Sequence, residues 1–174
     1  MRRAAETANA LSRALRVPLE MWTDIYENKG CQMQGQTFGG ATRSELQQRF
    51  PQAILPDSCT EQGWYMQPIE TEAEAWERAQ RVVERLYAMS RDPEYQGKGI
   101  AVVTHGNFMD FLLGRLVGRR EMKGAPRFLF SNTCYSRIHF KEPVPILLYL
   151  DRNEHLAGLL TRYDSTLPDS DSLA

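Results

Sequence analysis

The sequence predicts an α/β fold, and three observations carry that expectation. Two stretches with helical periodicity each open on a Thr-x-x-Glu capping box. A short apolar run at residues 100–103 passes through Thr104-His105-Gly106 straight into a strongly apolar helical segment. Two segments near the C-terminal end alternate in the manner of strands. Helices and strands that alternate along a chain bury their apolar sides best in layers around a mostly parallel sheet. The closing strands are expected to be antiparallel.

Taken in order, residues 4–16 read as a helix with Ala8, Leu11 and Leu15 on one face and Glu6 in the first turn. Residues 17–22 form a candidate short strand. Residues 23–40 are rich in Gln and Gly, too glycine-rich for a helix and too irregular for a strand. Thr42-Arg43-Ser44-Glu45 starts a short helix that has to stop before Pro51. Gly63-Trp64-Tyr65 falls in a further loop. Thr71-Glu72-Ala73-Glu74 opens the longest helix, which runs to about Ser90. Its apolar stripe is Trp76, Ala79, Val83, Leu86 and Met89, with Arg78, Arg81, Glu84 and Arg85 facing water. Asp92-Pro93 ends it. Residues 100–103 read as a strand buried on both faces. Residues 106–117 follow as an apolar helix that Gly118 terminates. Residues 134–140 and 146–151 are strands, and residues 151–154 a turn into a last short strand. One domain is expected over 1–164, with a polar tail at 165–174.

The composition narrows the classes of function. Apolar residues make up 42% and charged residues 25%, and the net charge is -1, so no basic field points to nucleic acid. No apolar run approaches the roughly 20 residues of a membrane helix. No apolar region follows the charged residues at the start, so a secretion signal is not expected. Cys31, Cys59 and Cys134 are odd in number and widely spaced, which fits free thiols in a reducing cytoplasm better than a disulfide framework or a zinc site.

His105 is the first candidate for chemistry. A residue between a strand and a helix sits at the carboxyl edge of a sheet, where ligands of open α/β folds collect. The helix start behind it offers free N–H groups and a positive dipole end, suited to phosphate. Gly106 lets a ligand come close to the backbone. His139, His155, Trp22, Trp64 and Trp76 read as structural, and Arg119-Arg120 as a solvated helix end.

Several segments together resemble a known family. The run from Val102 through His105-Gly106-Asn107 to Leu113 resembles the second histidine motif of the histidine phosphatase superfamily, the phosphoglycerate mutase-like proteins. Arg3-Ala4-Ala5-Glu6-Thr7-Ala8 resembles the family's Arg-Ala-x-x-Thr-Ala helix start, whose arginine binds phosphate. Glu27, in Tyr26-Glu27-Asn28-Lys29-Gly30, is similar to the glutamate that precedes a glycine loop and serves as proton donor. Asn132-Thr133-Cys134-Tyr135-Ser136 resembles the asparagine segment before a late strand. The matches keep the family's order from residue 3 to about residue 160.

The resemblance implies a three-layer α/β sandwich with a mostly parallel central sheet. It implies a phosphomonoesterase acting through a phosphohistidine, with a small phosphorylated substrate or inorganic phosphate as partner. His105 would be the second, phosphate-contacting histidine, Glu27 the acid, and Arg3, Gly106 and Asn132 phosphate-binding residues. No metal or cofactor is implied, nor a nucleic-acid or membrane partner. The same comparison exposes a gap. The family's first motif, Arg-His-Gly at the end of the first strand, has no counterpart, because no Arg-His pair occurs in the 174 residues. Its histidine is the one the family phosphorylates. The expectation is therefore a truncated chain that lacks its nucleophile and first strand and is inactive as it stands. A fragment of a longer enzyme, a non-catalytic phosphate-binding or protein-interaction domain, and a strand supplied by another chain all stay open. Substrate choice would lie in segments 28–40 and 55–70, which carry no readable specificity code.

Overall fold

The structure is a computed structural model, and it describes residues 2–33, 35–122, 124–141 and 144–156. The chain divides into two compact units, Met1–Ala125 and Pro126–Ala174.

In the first unit, α1 spans Arg2–Leu15. Arg16 ends it in the left-handed region, at φ 56°, where the Val17 N–H donates back to the Ser12 carbonyl at 3.1 Å. The helix starts earlier than expected, so Glu6 lies beyond the first turn and pairs with Arg2 and Arg49 instead. These two arginines hold its carboxyl below the usual range. The buried face also differs: Ala5 and Ala8 pack on Leu19, Met21 and Phe50, while Leu11 and Leu15 are exposed.

Strand β1 (Leu19–Glu20) pairs in parallel with β4 (Ala53–Ile54). Between them, β2 (Gln32–Met33) and β3 (Gln36–Thr37) form a small antiparallel hairpin inside the Gln- and Gly-rich stretch expected to be irregular. Its turn holds Gly35 at φ 78°, a conformation that glycine adopts without penalty. Helix α2 (Arg43–Arg49) begins on the capping box: the Glu45 N–H donates to Thr42 Oγ1 at 3.2 Å, and the Thr42 N–H to Glu45 Oε2 at 2.8 Å. Helix α3 (Glu72–Arg91) repeats the device with Thr71 and Glu74, at 3.2 and 2.8 Å. Helix α4 covers Gly106–Leu116, and Gly118 follows it at φ 77°.

Helices α3 and α4 pack together. Ala75, Trp76, Ala79, Val82, Val83 and Leu86 are buried on α3, and Phe108, Phe111, Leu112, Leu113 and Leu116 on α4. Trp76 meets Phe111 edge to face, with ring centroids 6.2 Å apart. A second cluster gathers Tyr26, Cys59, Trp64 and Tyr65.

Two further expectations do not hold in this unit. Arg78 does not face water. Its side chain is 3% exposed, because it lies on the face of α3 shared with Ala75 and Val82. Residues 100–103 do not form a strand. No sheet among the described residues includes them, and Ile100 is 44% exposed. A strand exists only where a neighbour completes its ladder, and among the described residues β1 and β4 pair over two residues with each other alone.

In the second unit, β5 (Tyr135–His139) and β6 (Ile146–Arg152) form the expected antiparallel pair. Asp151, at φ 49°, accepts from the Ser131 N–H at 2.6 Å and from Ser131 Oγ at 3.1 Å. A 3-10 turn at Glu154–Leu156 follows. The last short strand and the polar tail expected beyond it lie outside the described residues.

The chain thus has four helices and three two-stranded sheets among its described residues, one of them parallel. No helix there is long and apolar enough to cross a membrane.

Candidate functional site

Glu27 meets the N-terminus of α4, where His105 and Gly106 lie. The first N–H groups of a helix have no partner within it, and the residue before the helix usually caps them with its side chain. His105 holds that position, yet its side chain makes no capping bond. The cap comes from far away in sequence: Glu27 accepts the Phe108 N–H on Oε1 at 3.1 Å and the Asn107 N–H on Oε2 at 3.4 Å. The Asn28 N–H donates to the same Oε1 at 2.9 Å.

The segment that carries Glu27 is held in several places. Thr104 Oγ1 donates to the Ile25 carbonyl at 2.5 Å. Arg78 reaches from α3 with Nη1, donating to the Asp24 and Tyr26 carbonyls at 2.9 and 3.0 Å. Its Nε and Nη2 form a two-point pair with Glu70 at 2.7 and 2.6 Å. The guanidinium also stacks on Tyr26, 3.6 Å from the ring centroid, and on Phe108 at 4.2 Å. Tyr26 completes the set by donating its hydroxyl to Glu70 Oε1 at 2.9 Å. Beyond Glu27 the chain turns at Gly30, φ 75°, where a Cβ would stand 2.1 Å from the Tyr65 ring. Only glycine fits that approach.

His105 is 5% exposed, and its Nε2 is buried with no hydrogen-bond partner in the structure. Burial, reinforced by positive charges including those of Arg3 and Arg78, pushes its pKa down from 6.5 to about 4. The imidazole is therefore neutral at neutral pH. A buried polar atom without a partner is costly, and such an atom beside a helix N-terminus is suited to a ligand that supplies the missing bond.

The expected site residues are placed unevenly. Glu27 reaches the start of the helix that follows His105 and opens on Gly106, through bonds to the Asn107 and Phe108 amides. Arg3 is exposed on the first turn of α1, with its charge felt at His105. Asn132 is an exposed turn residue of the second unit. Arg119 is not a solvated helix end, since its Nη2 donates at 2.9 Å to Asp110, which is 1% exposed. Arg78 and Glu70 escape a reading of the apolar stripe. The flanking Ala75 and Val82 are the signal that Arg78 lies on the buried side.

A concavity of about 330 Å³ opens elsewhere, lined by Glu20, Trp22, Asp24, Ile54, Pro56 and Arg85 among others; neither His105 nor Glu27 lines it. Among the described residues no group of three His, Cys, Asp or Glu side chains gathers as metal ligands would.

Comparison with known families decides the lineage. The model of the histidine phosphatase superfamily (branch 1) matches residues 1–152. The chain belongs to the histidine phosphatase superfamily. No curated protein and no solved structure matches it. Membership carries phosphatase- or mutase-type chemistry at the level of the family, and it agrees with the α/β class, the helices and the parallel pair seen here. The matched span includes the Arg3, Glu27, His105 and Asn132 segments of this histidine phosphatase homologue.

Proposed function

We propose that the chain is the phosphate-binding part of a phosphomonoesterase of the histidine phosphatase type, acting on small phosphorylated substrates. The observation that carries this reading is the buried, unpartnered Nε2 of His105 at the N-terminus of α4. His105 and the amides from Gly106 onward would hold the phosphoryl oxygens, with Arg3 adding charge. In the family's chemistry a histidine nitrogen takes the phosphoryl group as the ester bond breaks. An acid, here Glu27, protonates the leaving alkoxide, and water then hydrolyses the phosphohistidine. With no Arg-His pair in the sequence, His105 is a phosphate ligand without the partner that would be phosphorylated. The chain as it stands binds phosphate and does not turn over. A three-layer sandwich, a single domain over 1–164 and a cytoplasmic setting belong to the same reading.

Two measurements test it together. Inorganic phosphate or vanadate is expected to raise the melting temperature of the chain but not of a His105→Ala variant. Hydrolysis of a generic aryl phosphate is expected at the level of that variant. No thermal shift in the parent chain would overturn the phosphate site. Robust turnover abolished by His105→Ala would overturn the missing nucleophile.

A further inference from the structure

The amides that the proposed phosphate site needs are already occupied. Of the N–H groups at the start of α4, those of Asn107 and Phe108 bind the Glu27 carboxylate, 80 and 81 residues away in sequence. A carboxylate at that place has the advantages a phosphate would have: unpaired N–H donors and the positive end of the helix dipole. Helix α4 is eleven residues long, so the dipole is well developed. His105 Nε2, buried at the same helix start, stays without a partner while Glu27 is seated. The carboxylate therefore satisfies the backbone donors but not the histidine.

We propose that Glu27 is an internal competitor for the anion site of α4: its carboxylate occupies the Asn107 and Phe108 amides in the free chain and leaves them when phosphate binds. This rests on the phosphate-site reading above and adds that residue 27 sets the affinity of that site. Two anions cannot share the two amides, and a seated carboxylate also repels an incoming phosphate. Moving Glu27 off the helix is locally simple. Arg78, Thr104 and the turn at Gly30 hold the backbone of its segment through Asp24, Ile25, Tyr26 and Tyr65. Among the described residues the carboxylate itself bonds only to backbone amides. A rotation of the side chain then suffices, with the loop left in place. The same movement is required before Glu27 could hand a proton to a leaving group, so seating and acid function exclude each other.

The test is the affinity for inorganic phosphate, by calorimetry, in the parent chain and in Glu27→Gln, which keeps the shape and removes the charge. Glu27→Gln is expected to bind about tenfold more tightly, the scale of a charge at a helix terminus. The tighter binding should be lost in the double variant with His105→Ala. Equal or weaker binding by Glu27→Gln would overturn the competitor while leaving the phosphate site intact. Absence of binding in both proteins would overturn the site itself and the competitor with it. A measurement on the parent chain covers the case in which the variant does not fold. On titration with phosphate, the backbone amide resonances of Asn28, Asn107 and Phe108 should move together. The Asn28 N–H bonds the carboxylate and lies outside the helix, so its shift reports the departure of Glu27. Phosphate binding with the Asn28 resonance unmoved would refute the displacement.

Discussion

Acidification should destabilise this chain through His105, by an amount that its burial sets. Its pKa falls from 6.5 to about 4 in the folded chain, chiefly because the ring is buried. Above pH 6.5 the imidazole is neutral in both states and contributes nothing to the pH dependence. As pH falls below 6.5 the unfolded chain takes up a proton that the folded chain refuses, so stability falls with pH until the folded form also titrates near 4. A difference of roughly 2.5 units corresponds to about 3 kcal/mol at the low-pH limit, and to about 2 kcal/mol at pH 5. Carboxylates titrate over part of the same range, so a comparison is needed. Urea unfolding of the parent chain and of His105→Gln, from pH 7.5 to pH 5, isolates the contribution. The two stability profiles should diverge as pH falls, with the parent losing about 2 kcal/mol more by pH 5. Parallel profiles, or an imidazole that titrates near 6.5 by NMR in the folded chain, would refute the reasoning. Bound phosphate should shrink the divergence, because a nearby anion favours the protonated ring.

Two further outcomes test the frame that holds the site. Arg78→Ala strands the buried Glu70 carboxylate and frees the Asp24 and Tyr26 carbonyls; the loss of stability should be about 3 kcal/mol or more by denaturant titration, and a loss under about 1 kcal/mol would mean the pair is dispensable. Gly30→Ala drives a methyl into the Tyr65 ring at a positive φ; it should cost about 1–3 kcal/mol and lower the melting temperature by several degrees, and an unchanged melting curve would contradict the close approach.

The local part of this fold is legible in the sequence because its signals are local. Both capping boxes act across three residues, and both start their helices where Thr42 and Thr71 place them. The setting of His105 before an apolar helix is readable for the same reason. What depends on a partner elsewhere in the chain is not. Residues 100–103 have the composition of a buried strand, but a strand needs a neighbour, and none pairs with them among the described residues. Leu11 and Leu15 share a face with Ala8, yet the core beneath α1 reaches only Ala5 and Ala8. Arg78 reads as a solvated charge because its counter-charge Glu70 and the carbonyls of the 24–26 segment come from outside the helix. The resemblance singles out Glu27 as an acid, whereas its seat on α4 amides 80 residues away is a tertiary fact that no spacing encodes.

That long-range cap has a consequence for how the chain folds. Thr104 to Ile25 and Phe108 to Glu27 close a loop of about 80 residues. The entropy of such a closure has to be met before any of these bonds can form. Contacts of this reach come late relative to the helices, whose bonds are local. The amides of Asn107 and Phe108 therefore exchange with solvent even in a fully formed α4 until the 25–28 segment docks. In a pulse-labelling experiment their protection would time that docking event separately from helix formation, making two backbone hydrogens a clock for the assembly of the site.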